Sequence, residues 1–469
     1  MKLDPSQHED FNFPIDKFET MLKTNEVLFF DLSEFENIVG HYMDTGKMTL
    51  AKKALKLGLD QHPIAVNLLL LKAELFILEN HLEQANDLLL ELKSIEPNND
   101  DISLMIANVL SKLDKHDEAI SVLNESLTIA SEPADVYAML GMEYLFVENF
   151  NAAKEAYIQC VKLDKSDYTA LYNVIYCFDF LDQKEEAIHF LNNFINQNPY
   201  SEIAWHQLGK LYFEDQNYAK ALEAFDFAII SDEYFIGAYI EKAKVLERQK
   251  KYKEAIVIYQ FTLQLDDPTA FVYLRIGKCH EALGDKKKAL KNYKQAIHED
   301  PLMDKVWLVL SEFYVKEETF SNAYYYINKA INIDEENVLY WKQLAFIAQR
   351  LNKLEESSYA LKRCLELGNF EYETWLTRID LLAKMNQFDL ALMTITEALD
   401  FFPDDFKLIY RRAGLLFYIG EQDKAFSHLE KALQLHTNYV LLSQGLFPRL
   451  FEEDRAMALL KKYFKDQTE

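Results

Sequence analysis

The chain has 469 residues, of which 49% are hydrophobic and only 12 are glycine, a composition that favours a folded helical chain over a disordered one. Its net charge of −26 disfavours nonspecific binding to nucleic acid or to an anionic membrane surface. We expect neither a membrane span nor a secretory signal, because no stretch approaches 18 uncharged apolar residues and the start, MKLDPSQHED, lacks an apolar run.

The amino-terminal residues differ in character from the rest of the chain. Residues 1–12 are polar and are predicted to form a tail, followed by a short amphipathic helix from Phe13 to Leu22. Ser33 and Glu36 have the spacing of a capping box, which predicts the start of the next helix. We therefore assign residues 1–31 to a polar tail and a short capping helix.

From residue 32 onwards the sequence has a period of 34. The four tryptophans, Trp205, Trp307, Trp341 and Trp375, differ by multiples of 34, and a small residue follows each after 16 positions. A fixed period of this length is typical of stacked repeats, in which each repeat buries its apolar face against its neighbours. The same numbering gives twelve repeats without an insertion: 32–65, 66–99, 100–133, 134–167, 168–201, 202–235, 236–269, 270–303, 304–337, 338–371, 372–405 and 406–439.

Each repeat is predicted to contain two helices. In repeat 202–235, apolar residues recur at helical spacing on both sides of the polar break at 214–217. Positions 8 and 20 of most repeats carry small residues, such as Gly209 and Ala221, which would let the two helices approach closely. Proline at position 32, as in Pro199 and Pro301, is expected to end the second helix.

This pattern resembles the tetratricopeptide repeat family, which has an aromatic residue at position 4, leucine at 7, glycine at 8 and alanine at 20. Trp205, Leu208, Gly209 and Ala221 match it. The resemblance implies an all-α fold, a right-handed α-solenoid superhelix of antiparallel helix pairs. Residues 440–469 differ from the repeats and are predicted to form carboxy-terminal capping helices, since an end repeat has one exposed face. It also implies a concave groove lined by positions 2, 5, 6, 9, 12 and 13 of each first helix.

The groove positions predict a site in the centre of the array. Residues 202–303 contain 15 Lys/Arg against 16 Asp/Glu, so they are close to neutral within an acidic chain. Cations beside aromatic residues suit an acidic peptide with apolar anchors; the alternative is a solvated face on which nearby glutamates balance the lysines. The predicted partner-binding residues are Tyr172, Tyr176, His206, Lys210, Phe213, Lys244, Arg275 and Lys278.

A second groove candidate is a partial match to the carboxylate clamp of chaperone-binding members of the family. Lys342, Lys407 and Arg411 supply three of its five positions, and both asparagines are missing.

We find no metal or catalytic motif: no HExxH, no GxGxxG and no GxxxxGK[ST]. The four cysteines form no CxxC pair, which favours a reduced, cytoplasmic setting, and Cys160 and Cys364 occupy a small packing position. We therefore expect no cofactor and no enzymatic activity. The prediction is a scaffold that binds proteins or peptides in its groove. The alternative is a regulatory or positioning subunit of a multi-protein enzyme complex.

Overall fold

The computed structural model describes residues 6–24, 28–265 and 269–465, and all regular structure within these ranges is helical. Of the predicted polar tail, residues 1–5 lie outside the described residues. The helix predicted from Phe13 to Leu22 is longer than expected: it begins at Ser6 and ends at Thr24. Phe18 and Met21 supply its buried contacts, whereas Leu22 is exposed. No helix in the described part of the chain is long and apolar enough to cross a membrane.

The chain forms two compact units, Met1–Glu241 and Lys242–Glu469, which we call the N-terminal unit and the C-terminal unit. Thirteen helices of the described residues lie entirely within the N-terminal unit: α1 (Ser6–Thr24), α2 (Leu32–Asp44), α3 (Met48–Gln61), α4 (Val66–Leu78), α5 (Leu82–Ile95), α6 (Asp100–Lys112), α7 (His116–Ser126), α8 (Pro133–Phe146), α9 (Phe150–Leu163), α10 (Tyr168–Phe180), α11 (Lys184–Gln197), α12 (Glu202–Glu214) and α13 (Tyr218–Ser231).

Helix α14 (Ile236–Arg248) includes the last residues of the N-terminal unit and the first of the C-terminal unit. A 3-10 turn spans Thr437–Tyr439. The other helices of the C-terminal unit are α15 (Tyr252–Leu265), α16 (Ala270–Ala282), α17 (Lys286–Glu299), α18 (Asp304–Lys316), α19 (Phe320–Ile333), α20 (Val338–Arg350), α21 (Leu354–Glu366), α22 (Tyr372–Lys384), α23 (Phe388–Phe401), α24 (Phe406–Tyr418), α25 (Gln422–Leu435), α26 (Val440–Leu446), α27 (Pro448–Glu452) and α28 (Asp454–Lys465).

Small residues lie where the paired helices touch, as the sequence predicts. Ala221 and Ala255 are completely buried. Gly209 of α12 faces the ring of Phe225 of α13, and a Cβ atom on this glycine would lie 2.6 Å from that ring. Where the small residue is Ser311, its hydroxyl donates a hydrogen bond to a backbone carbonyl of the paired helix, 3.0 Å away. The two helices of a pair can therefore approach closely, because the residue at their contact has a small side chain.

The turn inside each helix pair repeats one backbone conformation. A residue with positive φ, the left-handed region that favours glycine, stands two positions after the first helix ends. The period of these residues is 34, the same as in the sequence. The twelve such residues in the described chain are Gly46, Asn80, Asp114, Glu148, Asp182, Gln216, Lys250, Gly284, Glu318, Asn352, Asn386 and Gly420.

The first helix pair begins differently from the prediction. The capping box is formed by Asp31 and Glu34, not by Ser33 and Glu36, and the Asp31 backbone N–H donates to the Glu34 carboxylate at 2.8 Å. Asp31 has the extended backbone that a cap residue needs, whereas Ser33 already lies inside α2. The predicted spacing was correct, but its position was wrong by two residues.

Within each unit, helices joined by short turns pack side by side, as α8 does against α9, α12 against α13, α16 against α17 and α24 against α25. Proline follows the second helix as predicted: α11 ends at Gln197 before Pro199, and α17 ends at Glu299 before Pro301. The predicted all-α class, an α-solenoid of antiparallel helix pairs, is confirmed. The repeat boundaries remain a prediction.

Candidate functional site

An exposed apolar surface lies on two first helices of the N-terminal unit. We call it the aromatic patch and define it by Met142 and Phe146 of α8 and Tyr172, Tyr176 and Phe180 of α10. Between 40% and 60% of each residue is exposed. Within each helix these residues are four positions apart, so they share one helical face. Large exposed apolar patches of this kind are characteristic of protein-binding surfaces.

Two side chains of the aromatic patch stack on neighbouring rings. Phe180 stacks on Phe150, with ring centroids 3.6 Å apart, and Phe146 stacks on His116 at 4.8 Å. The imidazole of His116 is in turn held 2.8 Å from a carboxylate oxygen of the buried Glu143. Rings that are already supported lose less side-chain freedom when a partner covers them. The patch is thus partly organised before binding.

Lys210 is the predicted cation in the repeat that follows the aromatic patch in the chain. It lies on α12, which packs against α10, and occupies the position in its repeat that Tyr176 occupies in the preceding one. Among the described residues it makes no hydrogen bond and no ion pair. By contrast, Lys184, at the start of α11, is paired with Asp215 at 3.0 Å and Glu214 at 3.8 Å. Lys210 can therefore accept a carboxylate without losing an internal partner.

The other two predicted residues of the N-terminal unit, His206 and Phe213, are less exposed than the tyrosines of α10. His206 is half-buried, and its ring lies 5.1 Å from the Phe235 ring, edge to face. Phe213 is also half-buried and packs 6.0 Å from Tyr218. Both side chains contribute mainly to packing, and they offer a partner less surface than the rings of α10.

In the C-terminal unit, Arg275 is committed to an internal carboxylate. Its Nε and Nη2 donate to the two oxygens of Glu247 at 2.9 and 2.6 Å, and Nε also lies 3.4 Å from the Tyr259 hydroxyl. Burial alone would lower the pKa of Arg275, but Tyr259 and Glu247 outweigh it and raise that pKa. A partner carboxylate would have to compete with Glu247.

The two other predicted cations of this unit also have close neighbours. The ammonium of Lys244 lies over the Phe271 ring, 5.5 Å from its centroid. Partial burial, followed by the charge of Arg275, lowers the pKa of Lys278, and Glu312, Glu247 and Glu281 oppose that shift. Acidic side chains thus accompany Arg275 and Lys278, the arrangement expected of a solvated, charge-balanced face. Their role in binding remains a prediction.

The cations of the partial clamp are already paired. Lys342 forms an ion pair with Glu371 at 2.6 Å. Arg411 is buried and donates to both oxygens of Asp380, at 2.7 and 2.8 Å. Lys407 lies 5.5 Å from the centroid of the Tyr372 ring. A carboxylate ligand would have to displace Asp380 and Glu371, so the geometry favours a structural role for these side chains.

Comparison with known proteins agrees with the geometry of the helix pairs. Profiles described as tetratricopeptide repeat match residues 101–133 and 134–167, residues 206–262, and residues 271–302.

Among curated proteins, the chain is similar to BBSome complex member BBS4 of Bos taurus, with 22% identity over 77% of this chain and 72% of that protein. It is also similar to TPR repeat-containing protein YpiA of Bacillus subtilis, with 22% identity over 89% and 90% of the two chains. Similarity to anaphase-promoting complex subunit 3 of Schizosaccharomyces pombe, at 23% identity, covers 40% of this chain and 28% of that protein.

Proposed function

This chain is a tetratricopeptide repeat protein, a protein-interaction scaffold, and we propose that the aromatic patch of its N-terminal unit is a principal partner-binding surface. The observation that carries the proposal is the exposure of five large apolar side chains, two on one face of α8 and three on one face of α10. Aromatic residues dominate the binding energy of protein interfaces because each buries a large area in few rotamers. Tyr172 and Tyr176, predicted from the sequence, lie within this surface.

The partner that suits the patch is a segment with apolar anchors and a neighbouring carboxylate. Lys210 supplies an unpaired cation on the next first helix in the described structure, so an acidic side chain can meet it. An exposed ion pair contributes only about 0–1 kcal/mol, so aromatic burial must supply most of the affinity. We propose the cations of the C-terminal unit as weaker contributors: glutamates already accompany Arg275 and Lys278, and Lys244 already lies over the Phe271 ring.

A second function is favoured by the relatives. BBS4 is named as a member of a complex and subunit 3 as part of the anaphase-promoting complex. The alternative proposal is therefore a positioning subunit of a stable multi-protein assembly, without catalysis of its own. We propose a cytoplasmic setting, which the four buried cysteine thiols favour.

The test compares two matched double variants of the full chain. Tyr172→Ala with Tyr176→Ala removes the centre of the patch, whereas Tyr200→Ala with Tyr234→Ala removes two tyrosines outside it that are even more exposed. Affinity purification with mass spectrometry identifies the co-purifying chains, and titration of a purified partner then measures its affinity. We expect a loss of about tenfold or more for the first variant and less than twofold for the second.

Charge is tested separately on the same purified partner. Lys210→Glu should weaken binding by several-fold, and the loss should shrink at high salt because salt screens exposed charges. Equal binding by the wild type and the Tyr172/Tyr176 variant would place the interface elsewhere. A partner that remains bound through all purification steps at a fixed ratio would favour the stable-assembly alternative.

A further inference from the structure

A cleft in the C-terminal unit has the features of a second, chemically different site. It lies on the side of α22 that faces the second helices α21 and α23, and its volume is about 600 Å³. Four of its apolar lining residues are substantially exposed: Phe370, Leu390, Met393 and Phe401. Trp375 and Arg378 line the same cleft from α22. The cleft therefore combines an apolar wall with a cation.

Arg378 stands where the repeat pattern has leucine. The equivalent residues Leu208, Leu310 and Leu344 are buried in the core. Arg378 is half-buried, and its guanidinium makes no hydrogen bond or ion pair with any described residue; its Nε atom is fully covered. Burial lowers the pKa of Arg378, and Glu397 and Glu366 only partly oppose that shift. Other buried arginines of the chain have hydrogen-bond acceptors for their guanidinium groups, whereas Arg378 has none in the described structure.

Trp375, which lines the same cleft, also lacks a hydrogen-bond partner. The indole N–H groups of Trp205, Trp307 and Trp341 each donate to a backbone carbonyl six residues earlier, at 2.7–2.9 Å. The indole Nε1 of Trp375 is buried and has no acceptor in the described structure. Only 3% of this residue is exposed.

The cause is the early end of α21. This helix stops at Glu366, and Gly368, with φ of 85°, closes it through a hydrogen bond from the Asn369 N–H to the Cys364 carbonyl. The chain between α21 and α22 therefore follows a different path from that in the other tryptophan-containing repeats. The same segment brings Phe370 into the cleft, where it stacks on Phe401 with ring centroids 4.6 Å apart.

We propose that this cleft binds an internal peptide segment of a protein partner in which an acidic side chain adjoins an aromatic one. The carboxylate would accept hydrogen bonds from Arg378, and the aromatic ring would pack on Phe370, Met393 and Phe401. An arginine is well suited to a carboxylate because its planar donors match the two oxygens. The exposed apolar wall is wider than one side chain, which favours a segment inside a chain over a chain end.

The remaining charges of the cleft are compatible with this occupant. Glu366 is already neutralised by Arg363 at 2.7 Å and Lys362 at 3.3 Å. Glu397 and Asp400 are exposed, and water screens them more than the covered Arg378. The proposal rests on the scaffold function but concerns a surface other than the aromatic patch, so either site can fail its test while the other passes.

The experiment uses the full chain labelled with 5-fluorotryptophan, whose fluorine resonances report on the four tryptophans. Trp375→Phe assigns the relevant signal. The probes are N-acetyl-Asp-Phe-amide and N-acetyl-Asn-Phe-amide, which differ only in the carboxylate. We expect the Asp probe to shift the Trp375 resonance in a saturable way and to bind about tenfold or more tightly than the Asn probe, because a hydrogen bond to a charged group is among the stronger ones.

Two matched variants complete the test. Arg378→Leu restores the usual core residue, so it should fold and should lose the preference for the Asp probe. Arg412→Leu makes the same change at the same position of the next repeat, outside the cleft, and should leave that preference unchanged within twofold. The proposal is overturned if neither probe shifts Trp375, if both bind equally, or if Arg378→Leu keeps the preference. Stronger binding of N-acetyl-Asn-Phe with a free carboxyl end would overturn the internal-segment assignment.

Discussion

The ring of Phe225 lies against the backbone of Gly209, so that a Cβ atom on this glycine would stand 2.6 Å from the ring's Cε1 atom. Phe225 is completely buried and cannot move away without disturbing its neighbours. We expect Gly209→Ala to lower the free energy of unfolding by about 1–3 kcal/mol through overpacking. Urea denaturation, monitored by circular dichroism, measures this change in the free energy of unfolding.

Gly40→Ala is the matched control for that substitution. Gly40 lies inside α2, and a Cβ atom there would meet nothing within 4 Å. Alanine is the better helix former, so this variant should gain about 0.5–1 kcal/mol. Equal effects of the two substitutions would mean that Phe225 does not restrict position 209.

The repeat period could be read from the sequence because it depends on residue size at fixed spacing. A small residue at positions 8 and 20 recurs in most repeats, as Gly209 and Ala221 show. The capping box could not be placed with the same certainty. Asp31 and Glu34, like Ser33 and Glu36, satisfy its residue types, and only the backbone of residue 31 distinguishes the two pairs.

The candidate site was harder to predict for a different reason. Tyr172 and Tyr176 are exposed, as their predicted groove positions require. The cations depend on partners in the preceding repeat: Glu247 lies 28 residues before Arg275, and Asp380 lies 31 before Arg411. Pairs at such a distance arise from the stacking of repeats and have no local sequence signature.

The turns offer a second stability prediction. Gln216 has φ of 57°, a conformation that costs a residue with a Cβ atom about 1–2 kcal/mol. Gln216→Gly removes that strain, although glycine is also more flexible in the unfolded chain. We expect a net gain of about 0.5–1 kcal/mol.

Gly284→Ala makes the reverse change at the equivalent turn, where φ is 78°. It should lower the free energy of unfolding by about 1 kcal/mol. Both variants can be compared with the wild type by thermal unfolding. A loss of stability in Gln216→Gly would show that the glutamine side chain stabilises the turn by more than the backbone strain costs.

The buried cysteines make a prediction for alkaline pH. Burial raises the pKa of Cys177 to about 11 and, with the nearby Asp167, that of Cys160 to about 12. The folded chain therefore keeps these protons when the unfolded chain, with a thiol pKa near 8.5, releases them. This stabilisation is complete below about pH 8.5 and is lost as the pH rises through the folded-state values.

We expect the urea midpoint to fall from about pH 9 upwards, with each such thiol contributing at most about 1.4 kcal/mol per pH unit. Cys177→Ala should make that fall less steep. At pH 8 a thiol reagent should modify the native protein far more slowly than the urea-unfolded protein. Rapid native modification of all four cysteines would contradict their burial.

The pair of Arg411 and Asp380 should be among the more costly interactions to break. Only 6% of the Arg411 side chain is exposed, and removal of Asp380 leaves its charge buried with the Tyr439 hydroxyl and the Lys407 carbonyl as remaining acceptors. We expect Asp380→Ala to lower the free energy of unfolding by about 3 kcal/mol, since an uncompensated buried charge is strongly unfavourable. Asp404→Ala is the control: it breaks the exposed pair with Lys431 and should cost no more than about 1 kcal/mol. Similar losses in both variants would mean that Arg411 reaches water when Asp380 is absent, and its guanidinium would then be available to a partner carboxylate after all.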